Sequence, residues 1–265
     1  MIGDAISHAV LPGIVIAYLL AGGTRDSVFM LTGAAVLGLV TTFMIETFHR
    51  KVRIQEDAAI GITFTTLFAL GVILVSAFAG NVDLDQECIL YGEIALSPFE
   101  RLYTGAGTDL GPLSFWTMGT VLLIILVFVI SGYKELFLTT FDPAYAAALG
   151  LSVLTWHYLL MGFVSLATVA AFKSVGAILV VAFLVAPAAT AHLLTDSFPR
   201  MLLYSCIAGM IACIGGYMLA IWINGSVAGG MATFCGIIFV LAYLFSPSQG
   251  ILTRKLRSSK IEHSN

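Results

Sequence analysis

Long apolar runs constrain this chain more than any other feature. The stretch TMGTVLLIILVFVI within 113–132 carries no charge, and about 20 apolar residues in helical form are what a bilayer core requires. Seven further segments read the same way, at about 4–20, 28–48, 58–79, 155–172, 176–194, 201–222 and 230–246. Composition agrees. Of 265 residues, 59% are hydrophobic and 10% charged, against about 25% charged in soluble domains. Too little polar surface exists to cover a water-soluble globule, so the expected fold is all-α: a polytopic transmembrane helical bundle with lipid as its solvent.

The basic residues set the orientation. Placing HRKVRIQED (49–57) inside also places Lys134, Arg200 and the tail residues Arg254, Lys255, Arg257 and Lys260 inside, leaving only Arg25, Arg101 and Lys173 outside. The expected organisation is a membrane domain over 1–250 and a basic cytoplasmic tail over 251–265. In this frame 80–112 faces out. That loop carries Asp83, Asp85, Glu87, Glu93, Glu100 and Asp109 against a single Arg101, a field that attracts cations, although a solvated loop is polar in any case. The net charge of −3 offers nothing to a nucleic acid. Four cysteines with no CxxC pair read as small buried hydrophobes. The first residues lack the basic region of a cleavable signal peptide.

Residues 3–13 read GDAISHAVLPG. Asp4 and His8 are four apart, which on a helix stacks their side chains on one face. A carboxylate oxygen and an imidazole nitrogen so placed can share a divalent cation at about 2.0–2.2 Å. Pro12 has no N–H, which removes the usual helical donor to the His8 carbonyl. The structural alternative is a helix-capping Asp4 and a packing His8. An ionisable residue inside a membrane segment costs about 2.5–3.5 kcal/mol at the centre and marks an ion pathway. His192 is a second intramembrane histidine, with a hydrogen-bonded packing role as its alternative. Pro187 interrupts the ladder of its segment by removing the donor to the Phe183 carbonyl, and such helices border pathways. Glu46, His49 and His157 fall at segment ends, where interfacial water accounts for them.

The stretch TFDPAYAAALGLSV (140–153) predicts a short cytoplasmic helix, with Asp142 as N-cap, Pro143 in the first turn and Gly150 as the stop. Built of small residues, it suits a groove in another protein; a structured connector is the alternative. No Gly-Lys dipeptide occurs, so the phosphate-binding loop is missing and ATP binding by that device needs a separate subunit. Neither HExxH nor GxSxG is present, which leaves no enzymatic signature of those kinds.

Taken in order, GDAISHAVLPG, EDAAIGITFTTLFALGVIL, DLDQECILYGEIA, KELFLTTFDPAYAAALGL and FKSVGAILVVAFLVAPAATAHLL resemble the permease subunits of manganese, zinc and iron ABC importers, which are related to siderophore and vitamin importer permeases. The resemblance implies a type II importer permease of the bacterial inner membrane. It implies a transporter rather than an enzyme, one that dimerises with a second copy or a sister permease. It implies cytoplasmic ABC ATPase subunits that supply ATP hydrolysis, an extracytoplasmic metal-binding protein, a transported Mn, Zn or Fe ion and no permanently bound cofactor. The coupling helix falls on Asp142, Pro143, Ala146 and Gly150. The metal-contacting pair falls on Asp4 and His8, with His192, Asp83 and Asp85 as further candidates. The resemblance also implies one more membrane segment before GDAISHAVLPG, so about eight segments are expected here with the family's usual first one missing, through a late start site, a fragment or a real loss. The rival function is an ATP-independent carrier or channel for divalent cations, which gives no reason for the 140–153 helix.

Overall fold

Apolar segments in lipid satisfy their backbone groups only within helices, and the computed structural model is built accordingly. It describes residues 9, 11–22, 27–78, 94, 101–103 and 109–246. The elements are α1 (Leu11–Leu20), α2 (Ser27–Lys51), α3 (Glu56–Phe78), β1 (Arg101–Tyr103), β2 (Asp109–Pro112), α4 (Leu113–Ser131), α5 (Tyr133–Phe141), α6 (Pro143–Ala148), α7 (Val153–Val175), α8 (Ala177–Leu194), α9 (Phe198–Ile223) and α10 (Val227–Phe245). Where the expected apolar segments fall on described residues they are helical. By length and composition α3, α4, α7, α9 and α10 are able to cross a membrane, while α1 and α8 are shorter apolar helices. Two compact units divide the chain near Ser174, with α1–α7 and the ribbon in the first and α8–α10 in the second.

In the first unit α1, α2 and α3 pack mutually. The sequence makes this possible by putting small residues where backbones meet. A Cβ added at Gly13 would lie 2.6 Å from the Gly33 carbonyl oxygen, and one at Gly33 would lie 2.5 Å from the Ala17 Cβ. Leu11 and Pro12 of α1 close in the same way on Gly71 of α3. At the other end, Ile45, Ala59 and Ile60 form a buried cluster flanked by Phe48 and Phe64. There the α2–α3 turn is held by the His49 ring Nδ1, 3.0 Å from the Ile54 carbonyl oxygen.

Helix α7 lies antiparallel to α2. Successive contacts run Glu46 to His157, Phe43 to Tyr158 and Leu39 to Gly162, descending one helix while ascending the other. Its neighbouring face stacks Trp156 and Phe163 on Phe128 of α4. Gly132 ends α4 directly against the Trp156 ring.

The second unit is a three-helix arrangement in which α8, α9 and α10 pack pairwise. Ala208, Ala212, Gly216 and Ala220 recur every fourth residue and are all buried, forming a continuous small-residue stripe on one face of α9. The backbone of α10 lies in it, since a Cβ at Gly216 would stand 2.3 Å from the Met231 Cα. Asn224, in the left-handed region at φ 59° and ψ 37°, closes α9, and the Ser226 hydroxyl accepts from the Gly229 N–H to open α10. The Ser246 hydroxyl donates to the Leu193 carbonyl and ties the end of α10 to α8.

Three local features depart from the sequence reading. The helical bundle carries a small antiparallel ribbon, β1–β2, within the 80–112 loop. Its polar register is closed by the Arg101–Asp109 ion pair, and the Trp116 indole N–H donates to the Leu110 carbonyl to fasten it to α4. A separate helix, α5, precedes the short helix α6. The interruption expected at Pro187 does not break α8, which runs from Ala177 to Leu194 with the proline inside it. The helix loses one donor there, and the bonds on either side hold it together.

Candidate functional site

Asp4, His8, Asp83 and Asp85 lie outside the described residues. Pro12 is buried in α1 against Gly71. His192 stands exposed on the last turn of α8, beside fully buried Ala191, and Pro187 is buried one turn earlier. Among the described residues no group of three or more His, Cys, Asp or Glu side chains is placed to hold a metal.

The stretch predicted to be a short helix is fully built. The Asp142 carboxylate accepts from the Tyr145 N–H at 3.0 Å, satisfying one orphan donor of the first turn. Pro143 occupies the first turn, where its missing N–H costs nothing. At the far end Leu151 N–H donates to the Ala146 carbonyl and Gly150 N–H to the Ala147 carbonyl, each at 3.0 Å, the paired closure of a Schellman motif. Gly150 has φ +82°, a conformation only glycine adopts cheaply. Ala146 is fully buried, whereas Tyr145 and Leu149 are 54% and 58% exposed. Phe141, at the end of α5, is 59% exposed. A six-residue helix fixed at both ends thus presents an apolar edge. Ser152, whose hydroxyl lies 2.8 Å from that of Thr155, then leads into α7.

Sequence reasoning missed a second grouping. His157 Nε2 lies 3.3 Å from Glu46 Oε2, joining α7 to α2. The two residues are 111 positions apart, and only the packing of α2 on α7 brings them together. Elsewhere on these helices Thr41, Thr42 and Thr168 return their hydroxyls to the carbonyl four residues back. The buried hydroxyls of Thr63 and Ser165 make no hydrogen bond.

In the β1–β2 ribbon the Asp109 carboxyl sits below its ordinary pKa, chiefly through the Gly111 backbone N–H and then through Arg101. The Gly111 N–H reaches Asp109 Oδ1 at 2.9 Å.

Comparison with known proteins places this architecture. Residues 1–246 match the ABC 3 transport family. The manganese transport system membrane protein MntD of Bacillus subtilis (strain 168) is 48% identical over 262 residues, covering 99% of this chain and 88% of the relative. The zinc transport system membrane protein TroD of Treponema pallidum (strain Nichols) is 43% identical over 256 residues, covering 97% of this chain and 69% of the relative. Among solved structures, PsaBC from Streptococcus pneumoniae in complex with Fab superposes with a TM-score of 0.76 at 32% identity, covering 96% of this chain and 84% of that one. With its helical, multi-pass membrane architecture, the chain belongs to the ABC 3 transport family as a permease component of the cytoplasmic membrane.

Proposed function

We propose that this permease carries divalent transition-metal ions into the cell, driven by ATP hydrolysis on separate cytoplasmic subunits. Support for the cargo comes from the relatives, whose names specify manganese and zinc; those two metals, ahead of iron, are the ones the reading favours. In this reading Asp4 and His8 contact the metal through the spacing described above. An extracytoplasmic metal-binding protein delivers the metal, and a second copy or a sister permease completes the pathway.

The observation that carries the ATP-driven reading is the helix Pro143–Ala148. It is capped at both ends by its own side chain and backbone, and it offers exposed Tyr145 and Leu149 beside Phe141. A rigid apolar edge of this kind suits a groove in an ATPase subunit. Displacement of α6 passes through Leu149–Ser152 to the first turn of α7. From there the Glu46–His157 and Phe43–Tyr158 contacts carry it into α2. A stroke on α6 therefore rocks packed helices rather than a loose loop, as alternating access requires. An ATP-independent carrier has no use for such a helix. Co-purification tests the reading: the ATPase subunit stays with the wild-type chain and is lost when Tyr145 and Leu149 are both replaced by Asp. Retention of the ATPase by that double variant contradicts it.

A further inference from the structure

The pair Glu46–His157 has the chemistry of a second cation site. Its donors are one carboxylate oxygen and one imidazole nitrogen, a set that accepts manganese or zinc. Ligands about 2.0–2.2 Å from a divalent ion stand about 3.0–3.5 Å from each other along a tetrahedral or octahedral edge, and Oε2 and Nε2 are 3.3 Å apart. The separation therefore matches that of two ligands on one metal, with the ring proton carried on Nδ1. Both side chains are partly shielded yet reachable, at 12% exposure for Glu46 and 31% for His157. His157 lies four residues into α7, about 6 Å along the helix, at its end rather than mid-membrane. Beside it, Phe43 and Tyr158 lie with ring centroids 6.4 Å apart.

Two protein ligands make a weak site. An ion held so weakly exchanges rapidly, which is what a last stop before release needs. We propose that Glu46 and His157 form an exit-side transit site for the divalent ion. This rests on the importer reading above, which supplies both the cargo and the cytoplasmic placement of this end of α2.

The test is Mn²⁺ binding to the full chain in nanodiscs, followed by electron paramagnetic resonance. Wild type is expected to show two classes of bound Mn²⁺. Glu46→Gln and His157→Gln each lose the weaker class, while Asp4→Ala retains it. Glu46→Gln is chosen because its amide oxygen still accepts the Nε2 proton, so a contact serving only to clasp the helices survives. Full wild-type Mn²⁺ binding in both Glu46→Gln and His157→Gln overturns the transit site and leaves the importer reading standing. The converse result, loss in those two variants with unchanged binding in Asp4→Ala, upholds the transit site and removes Asp4 as a ligand. A second readout avoids folding effects. In an otherwise native His8→Ala chain, weakly bound Mn²⁺ should show coupling to an imidazole nitrogen, and absence of that coupling overturns the proposal.

Discussion

Gly216→Ala should separate α9 from α10. The added methyl group would stand 2.3 Å from the Met231 Cα and 2.8 Å from its nitrogen, whereas carbon atoms pack at about 3.5–4.0 Å. One backbone must retreat by about 1.2–1.7 Å, and the obstacle cannot rotate away as a side chain would. Overpacking of this kind costs about 1–3 kcal/mol, and the backbone clash argues for about 3. Alanine recovers about 0.8–1 kcal/mol of helix propensity over glycine, leaving a net loss of about 2 kcal/mol. Gly236→Ala in α10 is the control, because nothing lies within 4 Å of its Cβ. That variant should gain up to about 1 kcal/mol from propensity alone. The difference of about 3 kcal/mol is about a hundredfold in the folding equilibrium, readable by reversible unfolding of the full chain in mixed micelles. Equal stability of the two variants would refute close backbone contact as the basis of packing in the second unit.

Asp142→Ala removes the cap on Tyr145 N–H and should cost about 0.5–1 kcal/mol at this exposed position. Gly150→Ala adds strain at φ +82°; both should weaken ATPase co-purification while leaving the helical content of the chain unchanged by circular dichroism. In the β1–β2 ribbon the folded pKa of Asp109 is depressed. Its stabilising contribution is therefore complete above the ordinary value of 3.8 and is lost as pH falls through the lower folded value. Fluorescence of Trp116, bonded to Leu110, should report that acid transition, and Asp109→Asn should abolish it.

What was legible in the sequence was whatever depends on neighbours along the chain. Apolar composition over about 20 residues locates α2, α3, α4, α7, α8, α9 and α10, because lipid leaves the backbone no alternative. Asp142, Pro143 and Gly150 mark α6, because caps are local chemistry. What depends on distant neighbours was not legible. The Glu46–His157 pair needs α2 laid antiparallel on α7, and each residue alone resembles an ordinary interfacial side chain. The β1–β2 ribbon rests on an Arg101–Asp109 pairing eight residues apart, hidden in a loop already expected to be polar. Proline at 187 signals a lost hydrogen bond, but the bonds around it keep α8 whole.

The central claim is metal import driven by ATP, with Asp4 and His8 in contact with the ion. The most direct measurement is Mn²⁺ accumulation in proteoliposomes containing the chain with its ATPase and metal-binding protein, comparing wild type with Asp4→Ala and His8→Ala. The account predicts ATP-dependent accumulation by wild type and its loss in both variants, with the complex still eluting intact. Accumulation that persists without ATP, or that is unchanged in either variant, would contradict it.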